Sequence, residues 1–312
     1  MKRHSTILPA ILMLAACAAT ETDTGSNGDA EEAVMDANAV VYGGCIQTNP
    51  VGAVPEDVYA VSEIAASDAY SPFTKTLTVG GLVLAAGDDA SDDFMRLVSR
   101  AISEIFAQRE DLDLETQAEI LRNHYRYNSV IPVPVGENFD FFEHPDFDQT
   151  ASQNSICDII MQDVPGQVME VVEHILHYVS DMGLSYTFPE DWGFQETSVV
   201  SQGMAKAIEM GYYDVTQYEG EGRDGDEHHR VLVQEFAYWV ISTYWDLQEA
   251  YGPVGEAEWT ITNSADQAEM LPELHAMIER TVGRTMVAPS LATLQEIGPT
   301  RAEEREMGEA EG

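Results

Sequence analysis

The chain has 312 residues, 44% of them hydrophobic, and a formal net charge of −40 from 55 acidic against 15 Lys and Arg residues. That apolar fraction suffices for a real core in one or two domains. The acidic balance excludes nucleic acid as a natural partner, because it would repel phosphates, and it argues against adhesion to anionic membrane through charge. Cations and neutral or basic surfaces are the favoured partners.

The N-terminus reads as a targeting segment, residues 1–16: Lys2, Arg3 and His4 are basic, and Ile7 to Leu14 is a short apolar run. Leu14-Ala15-Ala16-Cys17 resembles the bacterial lipobox. That resemblance implies cleavage before Cys17, lipidation of Cys17 and a membrane anchor; the alternative is an ordinary secretory signal. Ala18 stands where aspartate would retain a bacterial lipoprotein at the inner membrane, so the resemblance implies the outer membrane or the cell surface. No other apolar run approaches the ~20 residues needed to span a bilayer. Residues 17–40 are small and acidic and are expected to be a flexible tether. Cys45 and Cys157 then remain as an even pair, which reads as a disulfide in an oxidising compartment or, alternatively, as two buried thiols.

One domain is expected over 41–298. Pro55 to Ala66 suggests a short helix. Thr76 to Ala86, TLTVGGLVLAA, is β-branched and apolar and suggests a buried strand. Ser91 or Asp92 can cap a helix running to about Ala107, and a second helix spans Leu114 to His124. Tyr127 to Val135 is a second strand whose prolines place it at an edge or end it early. After an irregular Phe- and Asp-rich stretch comes a helix over Val168 to Gly183, with Pro165 suited to its first turn and Gly183 placed to end it. A loop at 184–192, helices at 197–210, 227–251, 265–282 and 290–297, and a frayed charged tail at 299–312 complete the expectation: an α+β chain, mostly helical, with a small sheet near the front.

On the 168–183 helix, Val168, Val171, Val172, Ile175, Leu176 and Val179 share one face at about 100° per residue, and Glu170, Glu173, His174, His177 and Asp181 share the other. That second face is either a solvated polar face or a set of metal ligands. The later helix carries VLVQEFAYWVI, Val231 to Ile241, which is apolar nearly all round and therefore buried, with Glu235 inside it. A buried carboxylate must be paired, protonated or metal-bound, and cations are scarce in this chain. His124 and His275 stand apart and read as ordinary core or surface residues.

A strand–helix–strand start, then Glu173-His174-Ile175-Leu176-His177, then an inward Glu235 about sixty residues on, together resemble the glutamate-zincin metallopeptidases over roughly Thr76 to Met286. Their H-E-x-x-H motif is altered here to E-H-x-x-H. The resemblance implies a zincin-like fold with the sheet packed on the active-site helix, a bound zinc ion, and hydrolysis of a peptide or protein substrate. Laid on the motif, Glu173 takes the first ligand place, His174 the general-base place, His177 the second ligand place and Glu235 the third. An alternative uses His174 and His177 as ligands at i, i+3, with Glu173 or Glu170 as base or second shell. His228, His229 or Tyr238 would face the oxyanion in such a site. The rival expectation is an envelope lipoprotein that keeps the fold, has lost catalysis and binds a protein or glycan partner.

Overall fold

The apolar run at 76–86 forms two strands, not one. Gly80 and Gly81 take φ of +56° and +86°, the left-handed values that a two-residue hairpin turn matched to strand twist requires at both central positions. They fold β4 (Lys75–Val79) onto β5 (Leu82–Ala86) in antiparallel register, Val79 opposite Leu82. In this computed structural model, residues 40–42, 45–219, 225–253 and 258–310 are described. The expected signal at 1–16, Cys17 and the tether up to residue 39 lie outside them.

β1 (Val40–Tyr42) pairs with β2 (Cys45–Gln47) as a separate ribbon. The main sheet has the order β3-β4-β5-β6, with β3 (Ala65–Ala66) lying within the stretch expected to be helical. That stretch buries only Val58 to any depth, so it has no apolar stripe to dock a helix; instead its end pairs with the free edge of β4, Ala65 opposite Thr76. β6 (Val130–Val133) runs parallel to β5 at the other edge, as the prolines required. A parallel neighbour needs a long crossover, and α1 (Asp92–Ile105) and α2 (Leu114–Arg126) supply it. Ser91 caps α1 by accepting from the Asp93 and Phe94 amides, and Met95, Val98, Ile102 and Ile105 are its buried stripe. α1 lies against β4.

α3 (Phe147–Gln153) is followed by α4 (Gln167–Tyr178), the expected central helix. Pro165 falls just before it, and Gly183 does not end it. The backbone widens into a π turn, Val179–Leu184, and continues into α5 (Ser185–Thr187) and α6 (Pro189–Trp192), where a loop was expected. A Cβ on Gly183 would sit 2.7 Å from Ile120 Cγ2 and 3.3 Å from His124 Nε2. The glycine is therefore a packing requirement against α2, not a helix stop. His124 is fully buried there, and burial pushes its imidazole down to about 3, so it is a neutral core residue.

α7 (Val199–Glu209) leads to the long α8 (Gly225–Tyr244), which lies alongside α4. Asp246, at φ +58°, breaks the chain before α9 (Leu247–Tyr251), so the expected 227–251 helix is two pieces. Then come α10 (Ser264–Met270), α11 (Pro272–Arg280), α12 (Val282–Thr285) and α13 (Leu291–Ile297). The tail expected to fray carries α14 (Arg301–Ala310). Its start is a reciprocal cap: the Thr300 amide donates to Glu303 Oε2 at 2.8 Å and the Glu303 amide to Thr300 Oγ1 at 3.4 Å. The expected coarse class therefore stands: α+β, mostly helical, with one small sheet. Among the described residues no helix is long and apolar enough to cross a membrane. Cys45 and Cys157 lie at disulfide distance, Sγ–Sγ 2.01 Å, and join β2 to the strand-like segment that precedes α4.

Candidate metal centre

The polar face of α4 is not solvated. α8 runs alongside it, and only 1% of His177 remains exposed. His174 and Asp181 are buried as well, and Glu173 and Glu235 are half-buried. Two neighbouring helices thus enclose the residues that the sequence pattern set apart.

His177 is the hub. Its Nδ1 donates to Asp158 Oδ2 at 2.6 Å, and its Nε2 lies 3.5 Å from Glu235 Oε2 without hydrogen-bond geometry to any group. One ring nitrogen is therefore oriented by a carboxylate, while the other is buried and faces Glu235. Glu173, His177 and Glu235 each bring a ligand atom within 4.8 Å of the others. This is the first of the two expected arrangements, with ligands at i and i+4 on one helix and a third from a distant helix. The alternative also has geometric support, because Asp158, His174 and His177 form a second such trio. The hydrogen bond to Asp158 favours the first, since it occupies Nδ1 and leaves Nε2 for a cation.

The electrostatics follow from too many carboxylates in little space. Burial depresses His177, but the Glu235 charge and the Asp158 hydrogen bond outweigh it and hold the imidazole well above its ordinary range. His174 lies with Nδ1 3.1 Å from Glu170 Oε1 and Nε2 3.7 Å from Asp158 Oδ1. Burial opposes its charge, yet Asp158 and Glu170 raise it to about 10. Asp158 is pushed up by burial and pulled below its usual range by His174 and His177. Burial, opposed by His174 and reinforced by Glu235, raises Glu173 to about 8. The donor set of one imidazole nitrogen and two carboxylate oxygens could hold a metal ion.

His228 is two turns before Glu235 on α8, about 10 Å along the axis, and belongs to neither trio. The neighbouring His229 instead lies 3.1 Å from Ser201 Oγ, which ties α8 to α7. Tyr238 packs edge-on to His177, ring centroids 6.3 Å apart. No protein-family model, curated protein or solved structure matches the chain.

Sequence reasoning missed two acids. Asp158 sits alone in the apolar run Ile156 to Met161, the same signal that singled out Glu235, and it was passed over because no helix periodicity framed it. Glu258 is the other. Its carboxylate accepts from Tyr218 Oη at 2.8 Å, from Trp239 Nε1 at 3.0 Å and from Gln217. Burial and then the Glu235 charge push it up to about 7 from an ordinary 4.5. A carboxyl raised on folding favours the native state while protonated, so that advantage fades as pH rises from 4.5 through 7. Glu258→Gln should therefore match the wild type near pH 4.5 and exceed it above 7, by at most about 3 kcal/mol. Urea denaturation of the metal-free protein at several pH values reads this, and a constant difference would contradict it.

Proposed function

We propose that this chain is a zinc-dependent hydrolase of peptide bonds, with Glu173, His177 and Glu235 as its metal ligands. The observation that carries the reading is the buried His177 Nε2, 3.5 Å from Glu235 Oε2 without hydrogen-bond geometry and grouped with Glu173, while Asp158 orients the opposite nitrogen. A zinc ion held there would supply a Lewis acid and a bound water of lowered pKa. Asp158 fixes the ring and its tautomer. His174 occupies the place of the family's general base, and in the metal-free protein Asp158 and Glu170 raise it to about 10. The zincin likeness is carried by Glu173-His174-Ile175-Leu176-His177 and by Glu235 about sixty residues on.

Protein purified without a His-tag should hold about one equivalent of zinc, and a chelator should lower its melting temperature. His174→Ala should keep the metal and lose peptide hydrolysis. An empty protein that takes up no added zinc would end the proposal, and loss of metal in His174→Ala would move the site to the second trio. A second reading is favoured by the near-complete burial of His177. Structural zinc sites are closed, whereas catalytic ones keep an open position, so zinc without hydrolysis would identify a non-catalytic envelope protein that binds a protein or glycan partner. Either form would be lipid-anchored at the outer membrane or cell surface through Cys17. Cys17→Ala should then leave the membrane fraction, and unchanged fractionation would remove the anchor from the proposal.

A further inference from the structure

A second cluster of ligand atoms lies beside the first and shares no residue with it. Cys45 Sγ, Cys157 Sγ and a carboxylate oxygen of Asp181 lie within 4.8 Å of one another, and all three residues are buried. Asp181 follows His177 by four residues and Glu173 by eight, so the stripe that builds the first centre runs on into the π turn and ends beside the disulfide. Cys157 directly precedes Asp158, and both of their amides donate to Tyr178 Oη, at 3.0 and 3.1 Å. The two clusters thus share one rigid backbone segment.

The disulfide offers no hydrogen to the Asp181 carboxylate. Asp181 accepts from the Ser180 hydroxyl at 3.4 Å, and the charges of Arg230 on α8 and of His177 favour its anion. Opening the S–S bond would change its surroundings entirely: two sulfur donors would then face the carboxylate, a mixed soft and hard set that suits a thiophilic divalent ion.

We infer that Cys45, Cys157 and Asp181 form a second metal site that exists only when the disulfide is reduced. A phosphine reductant opens the bond: phosphorus gives two electrons to the disulfide and becomes a phosphine oxide, and one water supplies its oxygen and the two thiol protons. A divalent cation then displaces both protons, two sulfur–metal bonds form, and the Asp181 carboxylate is the third ligand. The disulfide and the bound ion are alternative cross-links between β2 and the segment before α4, one for oxidising and one for reducing conditions.

The test uses the full chain and Co²⁺ as probe. Reduction should add about one equivalent of bound Co²⁺ and bring up the sulfur-to-cobalt charge-transfer absorption, which the oxidised protein lacks. Glu235→Gln should retain that new absorption, so failure of the zinc hydrolase reading leaves this result untouched. Asp181→Asn should weaken the new site by about tenfold or more, whereas a simple thiol pair would be indifferent to it. Because reduction loosens the fold, alkylation provides a second readout: stoichiometric Co²⁺ should protect both thiols together. No extra equivalent, no sulfur-to-cobalt absorption, unprotected thiols, or unchanged affinity in Asp181→Asn would each overturn the assignment.

Discussion

His177→Ala should abolish stoichiometric zinc binding, lowering affinity by more than the 10–100-fold expected of about one lost orienting partner such as Asp158. The reason is that His177 serves both candidate trios, so its loss leaves each of them with only two of its three ligands. Glu235→Gln keeps the shape and removes one anionic ligand, so it should weaken zinc more than Glu170→Gln, because Glu170 lies against His174 and accepts from the Met161 amide. The same His177 substitution should also destabilise the metal-free protein by about 3–5 kcal/mol, because Asp158 and Glu235 would lose the buried imidazole that both of them pair with. The pH dependence has a definite sign. His174 and His177 are raised above an ordinary 6.5, His174 to about 10. Their contribution to metal-free stability is therefore complete below 6.5 and is lost as pH rises towards 10. Zinc competes with those protons, so its binding should strengthen over the same range. Melting curves with and without chelator across pH should converge at the acid end and separate at the alkaline end. Parallel curves would refute a shared proton and metal site.

The second large effect belongs to the cross-link. Cys157→Ser should cost about 4–5 kcal/mol by loop-closure entropy, since the bridge joins residues 112 apart in sequence. That is a large fraction of the ~5–15 kcal/mol that holds a domain together. The variant should show a lower urea midpoint, and wild type under reductant without added metal should fall towards it. A midpoint equal to the oxidised wild type would mean that the surrounding packing holds these segments unaided. Local contacts in that region are strong: Ser155 Oγ donates to the Tyr127 carbonyl at 2.6 Å, and Tyr178 Oη donates to the Asp158 carbonyl at 2.7 Å.

The sequence by itself determined what depends on neighbours within a few turns. The periodic apolar stripe of α1 and its Ser91 cap, the Pro-limited edge strand β6, the extent of α13 and the two-faced character of α4 were all legible, because helix period and capping act locally. Glu235 was legible too, since a lone acid in an apolar helix has few ways to be stable. Local signals also misled where another segment intervened. Gly183 has the chemistry of a helix stop, yet α2 approaches so closely that a glycine is needed mid-helix. The stretch at 55–66 has helix-compatible residues, yet the open edge of β4 recruits its end as a strand. Only the tertiary structure decided that the polar face of α4 is covered by α8, that Asp158 reaches His177 from 19 residues away, and that Glu173 and Glu235 come together with His177. Those are distances between segments far apart in the chain, and whether a row of His and Glu is a wet surface or a buried ligand set depends on which helix lies on top of it.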